Sequence, residues 1–411
     1  MVHTETRYAI KIKPDKFSLW KNKRPLLTHL DMELTERCNN NCIHCYINLP
    51  ADNEKARMRE LTTEEIKEIL EEAACLGCLT VRFTGGEPLL REDFEELYIF
   101  ARRLGLKVML FTNATLITPA LAELFSRIPP LKAIEISVYG MRKNSYEGVT
   151  RTPGSFEAAW RGINLLLQNN IPFVVKSALL PPNKKEVDEF EAWAATIPWM
   201  DKPPSYSMFF DLRCRRDSAY KNGSIKALRL SPEEGVRVLS RRQEKYFREM
   251  EEFCSKFVGP HGDTLFSCSA GTGGGCVDAY GSFQPCMMLR HPATIYDLKN
   301  GFLEDALRNF FPGIRARKPE NADYLARCAR CFLESLCEQC PAKSWMEHGD
   351  LDTPVEYLCE IAHAQARHLG MLADGERAWQ VQDWQKRIKK LLRRRPAEGL
   401  AGWQNEIIFD I

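Results

Sequence analysis

Short apolar runs alternate with longer amphipathic stretches between residues 29 and 211. Six of the runs have the length and apolar content of buried strands: 29–34, 79–83, 108–111, 133–138, 173–178 and 208–211. The stretch after the first run begins with a capping box of Thr62 and Glu65. Apolar residues follow it at helical spacing: Ile66, Ile69, Leu70 and Ala73. Strand and helix alternating in this way predict an α/β fold, a partial (β/α)6 barrel like part of a TIM barrel, over residues 29–230.

The pattern changes after residue 230. A long polar helical stretch over 231–259 precedes a region over 260–370 that is rich in Gly, Pro and Cys and poor in periodic segments. We therefore predict five parts: an N-terminal segment 1–28, the barrel 29–230, a linking helix 231–259, a small cysteine-rich domain 260–370 and a basic helical tail 371–411. In such a barrel, chemistry gathers where the strands end.

The tail contains the basic stretch 384–395, in which four apolar residues share one helical stripe: Trp384, Ile388, Leu391 and Leu392. We expect this helix to lie on the protein with its charges in solvent. Docking of an acidic leader peptide and contact with a membrane surface are the alternatives.

Charge and hydropathy exclude two classes of protein. The 411 residues include 57 Lys and Arg against 55 Asp and Glu, a net charge of +2, so charge-driven nucleic-acid binding is not expected. No apolar run approaches the roughly 18 residues of a membrane span, and the N-terminus lacks the apolar core of a signal peptide. We expect a soluble, cytoplasmic protein.

The chain has 15 cysteines, which in a cytosolic protein usually indicate metal binding or catalysis. Cys38-x3-Cys42-x2-Cys45 follows directly on the first predicted strand. Three thiolates on one loop can hold three irons of a [4Fe–4S] cube and leave the fourth iron open to a ligand. A zinc loop or three buried thiols are the alternatives.

This spacing, with Tyr46 after the last cysteine and the turn Gly85-Gly86-Glu87 after the second strand, resembles the radical S-adenosylmethionine (SAM) enzymes over roughly residues 25–215. The resemblance implies that SAM chelates the open iron and is cleaved by one electron to methionine and a 5′-deoxyadenosyl radical, which takes a hydrogen atom from substrate. It also implies reduced flavodoxin or ferredoxin as electron donor. The two glycines would let the turn present carbonyls and amides to the SAM ammonium.

Three further residues match the family by position. Asn113 and Ser137 end the third and fourth strands, and Arg151 precedes the next helix. The resemblance suggests Ser137 for the SAM ribose, Arg151 for its carboxylate and Asn113 as a further contact. The alternatives are a turn cap for Asn113, a backbone contact for Ser137 and a surface ion pair for Arg151.

The later cysteines resemble the SPASM domain of peptide-modifying radical SAM enzymes, although two residues separate Cys337 from Cys340 where that domain usually has three. The resemblance implies two auxiliary [4Fe–4S] clusters with interleaved ligands. The first set is Cys268, Cys276, Cys286 and Cys340; the second is Cys328, Cys331, Cys337 and Cys359. Zinc is the alternative. Without Cys276, the first cluster would have an open iron.

The resemblance favours maturation of a ribosomally made peptide through a thioether, a carbon–carbon crosslink or an epimerised residue. A cofactor-biosynthesis enzyme acting on a small molecule, a protein-activating maturase and a noncatalytic iron–sulfur protein are the alternatives. The predicted N-terminal segment is too short for a leader-recognition domain, which weakens the peptide hypothesis. Met287 follows Cys286 where sulfatase maturases carry an aspartate, so formylglycine formation is not expected. The sequence indicates no catalytic acid or base.

Overall fold

The computed structural model describes residues 25–214, 218–260 and 262–392. Most of the predicted N-terminal segment and residues 393–411 of the predicted tail lie outside these ranges. None of the helices in the described ranges combines the length and apolar composition needed to cross a bilayer.

The centre of the fold is a nine-stranded sheet. Its strands in chain order are β1 (His29–Thr35), β2 (Thr80–Gly85), β3 (Lys107–Thr112), β4 (Leu131–Ser137), β5 (Phe173–Ala178), β6 (Ser205–Ser207), β7 (Gly274–Val277), β8 (Ser282–Gln284) and β9 (Tyr296–Asp297). Their spatial order is β9-β8-β7-β1-β2-β3-β4-β5-β6, and β1 to β6 are mutually parallel. This arrangement confirms the predicted partial α/β barrel.

Within residues 25–214, 218–260 and 262–392, twelve helices have eight residues or more. They are α1 (Thr63–Cys75), α2 (Phe94–Arg103), α3 (Pro119–Arg127), α4 (Lys143–Thr150), α5 (Ser155–Gln168), α6 (Val187–Ala194), α7 (Ala219–Leu228), α8 (Pro232–Leu239), α9 (Gln243–Phe257), α10 (Pro341–His348), α11 (Glu356–His368) and α12 (Trp384–Leu392). Among the described residues, short helical turns cover Glu54–Arg57, Pro88–Leu90, Lys184–Glu186, Pro292–Thr294, Leu303–Asp305, Ala306–Phe310, Phe311–Arg315, Ala322–Ala326, Cys328–Arg330, Glu334–Cys337 and Ala378–Gln380.

Helix α1 forms as its sequence predicts. The Thr62 hydroxyl accepts from the Glu65 amide, and the Glu65 carboxylate accepts from the Thr62 amide at 2.7 Å. The four predicted apolar positions are the buried ones: Ile66, Ile69, Leu70 and Ala73. Local sequence therefore determines both where this helix begins and which face it buries.

Five of the six predicted strands are confirmed, and the sixth is wrong. The strand is Ser205–Ser207, which pairs with Lys176–Ala178 of β5, whereas the apolar run over 208–211 lies beyond it. Met208 and Phe210 are buried, and the Phe210 ring lies 5.3 Å from that of His44. The run is apolar because it packs against the loop of Cys38, Cys42 and Cys45, and not because it belongs to the sheet.

The chain forms two compact units, and their limits differ from the domain boundaries predicted at residues 260 and 370. The first contains the described residues up to 230 together with 263–324 and 339–355. It takes in part of the cysteine-rich region because β7 pairs in parallel with β1, His29 opposite Gly274 through Met32 opposite Val277.

The second unit contains the described residues of 231–262, 325–338 and 356–392. The predicted helix over 231–259 is two helices here, α8 and α9, separated by Ser240, Arg241 and Arg242. Helix α12 packs on α9 with Ile388 and Leu391 buried. Leu392, the fourth apolar residue of the predicted stripe, is 37% exposed and is not buried with them.

Candidate active site

The loop of Cys38, Cys42 and Cys45 is fixed by backbone hydrogen bonds at the carboxyl end of β1. The amides of Asn41 and Ile43 donate to the carbonyls of Thr150 and Val149, at 2.9 and 3.0 Å. These carbonyls belong to the last turn of α4, which has no partners for them within the helix. The helix end and the loop therefore satisfy each other, and the loop keeps one conformation.

The three thiols of this loop are partly buried and close enough for their charges to interact. Burial raises the pKa of Cys42 well above its usual range, and the charges of Cys45 and Cys38 raise it further. Three mutually repelling, soft sulfur ligands suit a cationic iron centre, because metal binding displaces the thiol protons and removes the repulsion. The donor set thus fits an iron–sulfur cluster.

The two glycines of the Gly85-Gly86-Glu87 turn are needed where the turn meets the segment leading into Cys38. A Cβ on Gly85 would lie 2.1 Å from the Thr35 carbonyl oxygen, and one on Gly86 would lie 2.2 Å from that of Arg37. The amides of Gly86 and Glu87 donate to these same two carbonyls, at 2.7 and 2.9 Å. The expectation that these amides meet a ligand is therefore wrong, whereas a carbonyl contact stays a prediction.

Glu87 is fully buried and links the turn to the end of β3. Its carboxylate accepts from the Thr112 hydroxyl and the Asn113 amide, both at 2.8 Å, and from the Leu89 amide at 3.1 Å. Burial raises the pKa of Glu87 to about 7, and the three donors act in the opposite direction. Glu87 is therefore held by protein donors on both of its oxygens.

Asn113 lies against the cysteine loop. Its Nδ2 donates to Asn39 Oδ1 at 2.9 Å and lies 3.8 Å from Cys38 Sγ. Its Oδ1 accepts from the Thr115 amide at 2.9 Å, so Asn113 does cap a turn. The structure thus places it beside the predicted cluster, and its contact with SAM stays a prediction.

Ser137 and Arg151 flank the same loop from β4 and α4. Burial raises the pKa of the Tyr139 hydroxyl well above its usual range, the charge of Cys42 raises it further, and the Ser137 side chain acts against the rise. Arg151 is the C-cap of α4 in the left-handed conformation, with φ of 52°, and it is exposed. Both positions adjoin the predicted SAM site, and the assigned ribose and carboxylate contacts stay predictions.

The sequence did not point to Arg213, which fixes the far end of the loop. It is 1% exposed, and its guanidinium donates to the carbonyls of Cys45 and Asn48 at 3.2 and 3.1 Å. No periodicity marks this residue, because its partners lie 168 and 165 positions away in the chain. A charged residue following a buried apolar run was the available signal.

A buried ion cluster lies beside Tyr46. Arg290 binds both carboxylate oxygens of Glu33, approaches Glu36 at 3.6 Å, and Glu36 also accepts from the Tyr280 hydroxyl at 2.7 Å. Burial raises the pKa of Glu33 to about 7, and Arg290 acts against that rise. Burial and the charge of Glu33 also raise the pKa of Tyr46 well above its usual range. The site therefore carries buried charge as well as thiols.

The parallel strands carry further ion pairs. Arg82 of β2 binds Asp31 of β1 at 3.0 Å and lies 4.8 Å over the Phe111 ring of β3. Lys176 of β5 lies 3.6 Å from the centre of that ring and binds Glu135 of β4. Two ion pairs on four strands thus lie on either side of the Phe111 ring of β3.

The first auxiliary set belongs entirely to the first unit, but its members have different surroundings. The charges of Cys340 and Cys268 both act on Cys286, whose pKa burial raises to about 12. Cys276 lies in β7, and the charges acting most strongly on it are those of carboxylates and a guanidinium. Electrostatic interaction therefore links Cys286 to Cys340 and Cys268 more strongly than to Cys276, and the ligand roles of all four thiols stay predictions.

The second auxiliary set belongs entirely to the second unit. The charges of Cys331 and Cys359 act on Cys328, and Cys337 packs in the hydrophobic core beside α11. Across the described ranges, no three or more His, Cys, Asp or Glu side chains converge as one metal ion requires. Zinc would need such convergence at about 2.3 Å from each sulfur, whereas a cube takes one thiolate on each of four irons.

Comparison with known proteins gives a family match over part of the chain and a shared fold. Residues 32–194 match the profile of the Radical SAM superfamily. The AdoMet-dependent heme synthase of Methanosarcina barkeri is 26% identical over 333 residues, 77% of this chain and 92% of that protein. The mycofactocin maturase MftC of Mycolicibacterium smegmatis is 32% identical over 169 residues, 40% of this chain and 41% of its own.

The architecture is shared more widely than the sequence. The structure of anSMEcpe with bound AdoMet superimposes with a TM-score of 0.58 at 15% identity, covering 90% of this chain and 98% of that one. A second anSMEcpe structure, which also contains the Cp18Cys peptide, gives 0.57 at 15% identity, with coverage of 90% and 100%. This likeness establishes a common fold that extends past the barrel into the cysteine-rich region.

Proposed function

Because this chain belongs to the radical SAM superfamily, we propose that Cys38, Cys42 and Cys45 hold the [4Fe–4S] cluster with which this enzyme binds and cleaves SAM. The observation that supports this most strongly is the common anchoring of the cysteine loop, the Gly85-Gly86-Glu87 turn and Asn113 at the ends of neighbouring strands. When bound, cluster and SAM supply a 5′-deoxyadenosyl radical that removes a hydrogen atom from substrate.

The chain's own residues orient these groups. Arg213 and the end of α4 hold the cysteine loop from its two sides. We assign Ser137 to the SAM ribose and Arg151 to its carboxylate, since a guanidinium fork matches a carboxylate. Tyr46 and the carbonyls of the glycine turn complete the proposed SAM site. We further propose a cytoplasmic location, with reduced flavodoxin or ferredoxin as electron donor.

We also propose that each auxiliary thiol set holds one [4Fe–4S] cluster. All four thiols of each set lie in the same compact unit, which supports the predicted division of ligands. Cys276 differs from Cys286 because the charges acting most strongly on it are those of carboxylates and a guanidinium, and not those of thiols. If Cys276 is not a ligand, the first cluster would keep an open iron.

For the substrate, we propose a ribosomally made peptide. The fold shared with peptide-bound anSMEcpe and the similarity to the maturase MftC support this choice. A small molecule is the second candidate, because the relative matched over 92% of its own length is a heme synthase. The two candidates share the chemistry at the SAM site and differ in what receives the radical.

One experiment separates the two substrates. The anaerobically reconstituted enzyme would be incubated with SAM, a reductant and either a short peptide encoded beside the gene or an iron porphyrin. We expect the peptide to increase 5′-deoxyadenosine formation and to lose two hydrogens by mass, or to gain deuterium from D₂O if it is epimerised. Stimulation by the porphyrin alone would overturn the peptide proposal and leave the SAM site intact.

A further inference from the structure

Two nitrogen donors from different elements meet the thiol of Cys359 in the second unit. Arg327 Nη2 lies 3.8 Å from Cys359 Sγ, and His363 Nδ1 lies 3.6 Å from the same sulfur. Cys359 and His363 are four residues apart on α11, whereas Arg327 precedes Cys328, another thiol of the second set. The sulfur is therefore approached by two N–H groups.

Arg327 has little freedom to leave this position. Its Nη1 and Nη2 bind the two carboxylate oxygens of Glu356, at 2.6 and 2.9 Å. Its guanidinium carbon lies 4.8 Å over the Trp379 ring, and its side chain is 19% exposed. A bidentate pair and a stacked face together fix a planar guanidinium better than either contact alone.

His363 is held in one tautomer. The Ala378 amide donates to His363 Nε2 at 3.1 Å, so Nε2 carries no proton. The proton is then on Nδ1, which donates to the Cys359 carbonyl at 2.8 Å and faces the sulfur. His363 is 1% exposed, so water does not compete for this proton.

We propose that Arg327, supported by the Nδ1–H of His363, stabilises the reduced form of the second auxiliary cluster and so raises its reduction potential. This inference depends on the proposed function, because it takes Cys359 as a cluster ligand. One-electron reduction adds a negative charge to cluster and thiolates, and a nearby cation with N–H donors favours that state over the oxidised one. Arg327 acts through Cys359 and is a positioning residue.

Glu356 should affect the reduction potential of the second auxiliary cluster in the opposite direction to Arg327. Its carboxylate partly compensates the charge of Arg327, and its side chain is 61% exposed. Replacing Glu356 by Gln should leave the guanidinium stacked on Trp379 but remove the compensating charge. The reduction potential should therefore fall in Arg327→Gln and rise in Glu356→Gln.

Arg377 provides a matched control. It pairs with Glu360 at 2.9 Å, its guanidinium carbon lies 5.8 Å from the same Trp379 ring, and its side chain is 45% exposed. It makes no hydrogen bond to Cys359 among the contacts of the described residues. Arg377→Gln should thus shift the potential by much less than Arg327→Gln.

The test is an EPR-monitored redox titration of the full chain with Cys38, Cys42 and Cys45 replaced by Ala, which leaves the two auxiliary clusters. We expect Arg327→Gln to lower one of two midpoint potentials by the equivalent of about a tenfold change in the reduced-to-oxidised ratio, about 59 mV for one electron. The other midpoint should stay unchanged.

Iron analysis and EPR spectra test whether Cys359 is a cluster ligand, and the midpoint potentials test whether Arg327 tunes the cluster. Loss of about four of the eight irons in Cys359→Ala, or a changed EPR spectrum of one cluster with all irons retained, supports the ligand assignment; an unchanged iron content together with unchanged EPR spectra would overturn it. With the irons retained, an unchanged midpoint in Arg327→Gln, or equal shifts in Arg327→Gln and Arg377→Gln, would overturn the tuning role. If Arg327→Gln loses the cluster, the test is the midpoint potential of Glu356→Gln. A midpoint in that variant that does not rise contradicts the proposal.

Discussion

Arg151 combines an unusual backbone with the proposed recognition of the SAM carboxylate. It caps α4 at φ of 52°, a conformation that favours glycine, yet it carries a long charged side chain that is exposed beside the cysteine loop. A non-glycine residue in this conformation is uncommon and calls for a reason. The end of the helix supplies one, because the Arg151 amide donates to the Glu147 carbonyl at 2.9 Å and so closes the last turn of α4.

Arg151→Ala should therefore weaken SAM binding. A charge-assisted hydrogen bond is worth about 1.5–3 kcal/mol, or roughly tenfold to a hundredfold in affinity. Arg151→Gly should bind SAM equally weakly but fold at least as stably as Arg151→Ala, because glycine adopts the left-handed conformation without strain. Isothermal calorimetry of the reconstituted protein measures the affinity, and wild-type affinity in both variants would show that the carboxylate binds elsewhere.

The Glu33–Arg290 pair should matter for stability, because both groups are buried. Arg290→Met leaves Glu33 without its cation and should cost about 3–5 kcal/mol of folding free energy. Denaturant unfolding measures this loss, and Arg290→Met with Glu33→Gln should recover part of it. A double variant no more stable than Arg290→Met would show that the cost is one of packing.

The same pair predicts a dependence on pH. The pKa of Glu33 is about 7 in the folded protein and Arg290 lowers it, so removing Arg290 raises it further. A carboxyl group with a raised folded pKa stabilises the fold at low pH and loses that contribution as pH rises through the folded pKa. Relative to wild type, the destabilisation in Arg290→Met should therefore grow as pH rises above about 7, because the wild-type group ionises there and that of the variant stays protonated; unfolding at about pH 6 and about pH 8 tests this.

The residues that the sequence predicts well are those with local signals. Cys38, Cys42 and Cys45 share one loop, and Thr62 caps its helix three residues from Glu65. Arg213 and Arg290 had no such signal, because their partners lie 168 and 257 positions away. Long-range burial of a charge leaves no periodic trace in a sequence.

Among the elements, the glycine turn packs directly against the backbone of the segment that leads into the cysteine loop. A Cβ on Gly86 would lie 2.2 Å from a backbone oxygen, so the two segments could not stay at their present distance. We expect Gly86→Ala to destabilise the protein by about 1–3 kcal/mol and to reduce iron retention at the first site. Gly223→Ala in α7 is the matched control, because nothing lies within 4 Å of its Cβ position. Equal iron retention and stability in the two variants would contradict this role for Gly86.

The strands that the sequence predicts correctly are those whose apolar runs lie in the sheet. This holds for the first five strands, whereas the run over 208–211 is apolar because it packs beside His44. Strand β7 begins with Gly274 and Gly275 and has no alternating pattern of its own. It forms because β1 offers it an edge, which only the folded chain reveals.

At the scale of the molecule, the cysteines divide into a SAM-site loop and two auxiliary sets. If all three sets bind cubes, reconstituted protein should contain about twelve irons per chain, and Cys38, Cys42 and Cys45 replaced together by Ala should remove about four. Cys276→Ala tests the member of the first set whose surroundings differ. Loss of about four irons, or a changed EPR spectrum at full iron content, would confirm it as a ligand, whereas an unchanged iron content and spectrum would indicate an open iron in the wild-type protein.

Cleavage of SAM at the loop of Cys38, Cys42 and Cys45 can be measured directly. The most direct measurement is 5′-deoxyadenosine formed by anaerobically reconstituted, reduced enzyme, compared with the variant in which Cys38, Cys42 and Cys45 are all Ala. We expect the wild-type enzyme to form 5′-deoxyadenosine and methionine, and the variant to form neither while it keeps its auxiliary iron. Equal 5′-deoxyadenosine from the two proteins, or none from wild type with about four irons at the loop, would contradict SAM cleavage at this loop.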